Sequence, residues 1–86
     1  MQKYFIIIKI KTTKKEKTIK KEINKKLKSI DNIKYKLKII KKEKENQYLI
    51  KISLVDLSYL INLKDLIISI VANFEKYRVK LEKINN

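Results

Sequence analysis

Two alternating runs dominate the chain. From Asn32 to Ile40 it reads Asn-Ile-Lys-Tyr-Lys-Leu-Lys-Ile-Ile, and from Gln47 to Val55 Gln-Tyr-Leu-Ile-Lys-Ile-Ser-Leu-Val. Between them lies the polar stretch Lys-Lys-Glu-Lys-Glu-Asn. Strand side chains point alternately to opposite faces. Ile33, Tyr35, Leu37 and Ile39 therefore share one face of the first run, with Lys34, Lys36 and Lys38 on the other. In the second run Tyr48, Ile50, Ile52 and Leu54 stand opposite Lys51 and Ser53. The pattern predicts a β-hairpin with one face turned to a core and the other to water or an anion. Its turn, Lys42 to Asn46, lacks glycine, which leaves Asn46 as the residue best suited to a positive φ.

The segments around the hairpin have other periods. Gln2 to Lys11 is a near-continuous apolar run bounded by charge, as in a central strand covered on both faces. Lys9 and Lys11 share a parity and set its phase. Tyr4, Ile6, Ile8 and Ile10 then face the core, and Phe5 and Ile7 join the lysines. Thr13 with Glu16 has the spacing of a capping box, predicting a helix to about Ser29. Ile19, Ile23, Leu27 and Ile30 form its narrow apolar stripe, and Asp31-Asn32 supplies a stop. Asp56 and Ser58 offer caps for a second, more apolar helix, and Asn62 with Asp65 a second start signal. The tail, Tyr77 to Ile84, has two readings. As a strand, Tyr77, Val79 and Leu81 alternate with Arg78, Lys80 and Glu82. As a continued helix, Leu60, Leu63, Ile67, Ile70, Phe74, Tyr77, Leu81 and Ile84 keep heptad spacing.

The elements define an α+β two-layer sandwich with two helices on one face of an antiparallel sheet. The strand reading of the tail gives βαββαβ, a ferredoxin-like order with strands 4-1-3-2. The helix reading gives βαββα, a three-stranded sheet with a long C-terminal helix. In the four-stranded version the open face carries Phe5, Ile7, Lys9, Lys11, Lys34, Lys36, Lys38, Ile40, Leu49, Lys51, Ser53, Arg78, Lys80 and Glu82. Eight of these are cations and one is an acid.

Composition changes the picture through charge. The chain's 86 residues, enough for one domain, hold 23 Lys and Arg against 9 Asp and Glu, a net charge of +14. Residues 1–55 contribute +13 of it. So lopsided a balance points to a polyanionic partner. An AT-rich coding bias would also enrich Lys, Ile and Asn, but accounts less well for Lys outnumbering Glu. No apolar run reaches the roughly 18 residues of a bilayer span. The start of the chain is too short and too interrupted by lysine for a signal peptide. A cytosolic or equivalent interior location is the expectation.

Catalytic chemistry has little to work with. The chain has no Cys, His or Gly. The commonest acid–base group and the best nucleophile are absent, as are the usual zinc ligands and any glycine-rich phosphate loop. Glu43 and Glu45 sit among lysines at a turn and read as solvated. No enzymatic activity, metal, cofactor or small-molecule substrate is expected.

Binding is better supplied. Lys34, Lys36 and Lys38 would stand about 6.6–6.8 Å apart, close to the spacing of phosphates along a single strand. Neutralising six phosphates would give log K a slope of about −5 against log salt. With Lys9, Lys11, Lys51, Arg78 and Lys80 they make the candidate nucleic-acid surface, RNA favoured. Phe5 is placed to stack on a base or to pack against Ile7 and Leu49. The first helix is a rival basic surface, braced by Glu16–Lys20 and Glu22–Lys26 pairs. Its apolar stripe is too narrow for membrane binding. In the second helix Leu63, Leu66 and Ile68 do not all fit under one sheet. They are the candidate partner interface of an alternative function, a protein-interaction module such as a homodimer, an assembly subunit or a small inhibitor from a mobile element.

The strand opening Gln2-Lys3-Tyr4 resembles ferredoxin-like ribosomal proteins. The βαββα order, with Asp56-Leu57 beginning its last helix, is similar to that of ribosome hibernation factors. The glycines of both families have no counterpart, and one hibernation-factor strand would be missing. RNA-recognition motifs need stacking aromatics where the third strand offers Leu49, Lys51 and Ser53, and the Gly-x-x-Gly of KH domains is absent. These comparisons rest on element order and charge, and no family is assigned.

Overall fold

The computed structural model describes residues 2–30, 33–54 and 58–85. The order of elements is β1 (Gln2–Thr12), α1 (Glu16–Lys28), β2 (Lys34–Lys41), β3 (Asn46–Leu54), α2 (Tyr59–Val71) and β4 (Lys76–Asn85). The strands form one antiparallel sheet ordered β2-β3-β1-β4. This is the ferredoxin-like two-layer sandwich, and the tail is a strand. The alternative of a long C-terminal helix is overturned: α2 ends at Val71, and Ile6, Ile8 and Ile10 of β1 pair with Leu81, Val79 and Tyr77. The apolar run of β1 explains the outcome, since a central strand needs hydrogen-bonding neighbours on both edges.

The core lies between sheet and helices. Ile6, Ile8 and Ile10 of β1 and Tyr48, Ile50, Ile52 and Leu54 of β3 are buried. Ile19, Ile23 and Leu27 of α1 cover them, with Leu63, Ile67, Ile70 and Val71 of α2 and Phe74 beyond it. Tyr35, Leu37 and Ile39 of β2 and neighbouring Ile33 are half-buried against this cluster. Tyr35 is also tied to α1, its hydroxyl donating to Asn24 Oδ1 at 3.0 Å.

Several local expectations are corrected. The Thr13–Glu16 capping box does not form: the N-cap is Lys15, without a side-chain cap bond. Glu16 turns instead to Lys20 at 3.2 Å and Lys41 at 3.4 Å. The hydrogen bonds from Lys20 and then Lys41 hold its carboxyl below the usual carboxylate range. Cations attract it more strongly than a single backbone amide does. Ser58 stands at the N-cap of α2, and Asn62 and Asp65 lie inside that helix rather than at its start. The turn spans 42–45, and Asn46 opens β3, paired with Lys41 and Thr12. The proposed stop at Asp31-Asn32 and cap at Asp56, together with Val55 and Leu57, lie outside the described residues.

The two helices are joined by lysines. The last turn of α2 carries no basic residue, although carbonyls there have no partner within the helix. Lys26 Nζ donates to the carbonyl of Ser69 at 2.8 Å, and Lys14 Nζ to that of Asn73 at 3.0 Å. Lys14 also lies 5.1 Å from the centre of the Phe74 ring. The cations that complement the negative end of α2 thus come from α1 and the loop before it. Lys26 is engaged there and not in the expected pair with Glu22.

Tyr48 introduces an uncompensated cost. Its side chain is fully buried, and its hydroxyl meets no hydrogen-bonding partner among the described residues. An unpaired buried hydroxyl costs about 1–3 kcal/mol. Tyr48→Phe is therefore expected to raise the unfolding free energy by about that amount, measured by urea denaturation. A fall instead would reveal a partner for the hydroxyl, such as an ordered water.

Candidate nucleic-acid interface

Both helices pack on one face of the sheet, so the other face is open. Antiparallel partners directly opposite each other share a face, and the registers resolve the open face into four rows. The first runs Lys34, Ser53, Phe5, Glu82 across β2, β3, β1 and β4. The second is Lys36, Lys51, Ile7, Lys80, the third Lys38, Leu49, Lys9, Arg78, and the fourth Ile40, Gln47, Lys11, Lys76. All nine residues expected to form a nucleic-acid surface come together here. Lys76 joins them, and strand alternation adds Lys3. Both follow the strand parity that places their neighbours.

The arrangement sets like charge against like. Lys36 is directly opposite Lys51, Lys9 opposite Arg78, and Lys11 opposite Lys76. Side chains so paired have Cβ atoms about 4.5–5.5 Å apart, and like charges there destabilise a sheet. Acids relieve little of this. Lys80 meets Glu82 at 3.3 Å and Lys76 meets Glu45 at 3.6 Å. No other cation of the four rows has an ion pair among the described residues. Lys9, Lys11, Lys76 and Arg78 line a shallow depression of about 490 Å³ with Gln47, Glu75 and Tyr77.

Phe5 is half-buried in the first row, and the Lys51 ammonium lies 4.3 Å from its ring centre. That contact is a cation–π interaction, so a base stacking on this side of the ring would have to displace Lys51. Phe5, Ile7 and Leu49 give the middle of the face apolar character, with cations on both flanks.

The expected partner interface on α2 is corrected at Leu63. Leu63 is fully buried, because it shares one helical face with Ile67 and Ile70 against the sheet. Leu66 is half-buried against the core, and Ile68 is 53% exposed. Ile61, seven residues earlier on the same line of the helix, is 79% exposed. On β4 the inward-facing Tyr77, Val79 and Leu81 are also about half exposed, at 49%, 46% and 47%. Their alternation was visible in the sequence, but not how far the helices would reach across the sheet.

No protein family matches the sequence, and no curated protein matches it. Solved structures match its shape. The de novo designed protein Foldit4 superposes with a TM-score of 0.74 at 16% identity, over 98% of each chain. The designed protein Ferredog-Diesel gives 0.54 at 14% identity, over 88% of this chain and 83% of its own. A DUF3240 family protein from Shewanella baltica OS155 gives 0.57 at 9% identity, over 99% and 91%. At these identities the likeness is one of fold. Among the described residues no helix is long and apolar enough to cross a membrane.

Proposed function

We propose that this chain is a small, non-enzymatic nucleic-acid-binding protein that grips RNA or another single strand by its phosphates, through the open face of the sheet. One observation carries the reading: three pairs of cations stand directly opposite each other on adjacent strands. A solubilising surface gains nothing from that placement, and a compositional bias toward lysine does not require it. Sites that break a local rule of stability are where function is expected. A polyanion laid across the rows would turn each repulsion into a shared attraction and release its own counterions. With Leu49, Lys51 and Ser53 on the third strand, contacts to bases give way to contacts to backbone, so affinity should depend weakly on sequence. A cytosolic location accords with this reading.

The test is a salt titration of binding to a fluorescent single-stranded RNA, followed by anisotropy. For about six phosphates neutralised, log K should fall against log salt with a slope of about −4 for a single strand and −5 for a duplex. Binding that ignores salt, or retention of a neutral polymer equal to that of RNA, would overturn the reading. The exposed apolar residues of β4 support a second reading, association with another protein, for which a specific arrangement is available.

A further inference from the structure

We propose that the chain forms a twofold homodimer by antiparallel pairing of β4 with β4 of a second copy, the axis passing through Val79. The two edges of the sheet differ. Both carry cations on the outward face, but on β2 the inward-facing residues are half-buried under the helices. On β4 the edge runs ten residues, Lys76–Asn85, and its inward-facing Tyr77, Val79 and Leu81 are left about half exposed. An edge with an uncovered apolar row is a template for another strand.

The sequence of that row selects the partner. Read along the inward face of β4, it is Tyr77, Val79, Leu81, Lys83. Reversed about Val79, it complements itself. Tyr77 meets the partner's Leu81, and Val79 meets the partner's Val79. Symmetry makes each unlike contact twice, so three apolar pairs line the seam. On the other face the same register sets Lys76 against the partner's Glu82 and Arg78 against the partner's Lys80, two attractions and two repulsions. The product is a continuous eight-stranded sheet in which two basic faces become one. A single strand pair is a small interface, below about 1,200 Å² in total, and such interfaces are typically weak and transient.

Equilibrium sedimentation of the full chain at about 0.15 M salt, where repulsion between the two basic copies is screened, tests this. The wild type is expected to be a reversible dimer with micromolar dissociation, and Val79→Glu a monomer with an unchanged circular dichroism spectrum. Glu82→Lys should weaken the dimer about tenfold, since two attractive pairs with the partner's Lys76 become repulsive. Adding Lys76→Glu in the same chain should restore it to within about threefold, because the swap keeps opposite charges facing. If Val79→Glu unfolds, the charge-swap series decides alone. A wild type that stays monomeric up to about 1 mM, a dimer that survives Val79→Glu folded, or a failure of the double swap to restore association would overturn the proposal.

Discussion

Changing Lys34, Lys36 and Lys38 together to glutamate is expected to cut affinity for single-stranded RNA by on the order of a hundredfold at moderate salt, with a shallower salt slope. The fold should not suffer. Lys36 faces Lys51 across the β2–β3 ladder, whereas Lys34 faces Ser53 and Lys38 faces Leu49. Replacing Lys36 turns a repelling pair into an attracting one, worth about 0.5–1 kcal/mol. Stability in urea should therefore stay level or rise while binding collapses. The opposed signs make the experiment informative. A general loss of structure lowers both quantities, and a surface of solubilising lysines leaves binding unmoved. Unchanged binding in the triple variant would exclude the β2 lysines from any interface.

Ile50→Ala is expected to have the largest effect on the fold itself. Ile50 is fully buried on β3, directly opposite Ile8 on one side and Leu37 on the other. Removing a buried branched side chain of this size costs about 2–5 kcal/mol, the spread depending on how far the cavity collapses. An 86-residue domain has about 4–13 kcal/mol in all. The variant should sit near the edge of folding, with its urea midpoint lowered by a third or more. A shift below about 1 kcal/mol would mean that the centre of the sheet repacks around the gap.

The hairpin was legible because one face is apolar from Ile33 to Ile39 and again from Tyr48 to Leu54, and the side-chain period of a strand leaves only one phase. The lattice of cations followed from the same parity, since every residue assigned to the open face lies in one of the four rows. The tail was ambiguous because residues from Leu60 to Ile84 satisfy heptad spacing while Tyr77, Val79 and Leu81 also alternate. Local pattern could not decide between them; the unmet second edge of β1 does. Leu63 was misplaced because composition says how much apolar surface a helix carries, not which line of it meets the sheet. The capping box failed because its Glu16 found two lysines, one of them, Lys41, 25 residues away.

The central place of β1 has a consequence for the chain while it is being made. Ile6 ends up opposite Ile52 and Leu81, residues 46 and 75 positions later. At about 5–20 residues per second, ribosomes take about 4–15 s to cover the longer of these separations. Through that interval the stickiest stretch of the polypeptide, Tyr-Phe-Ile-Ile-Ile, has no strand on its outer flank. Lys9 and Lys11 flank it as gatekeepers against premature self-association, so the two ammonium groups to which the proposed function gives an anion also serve to keep the nascent chain in solution.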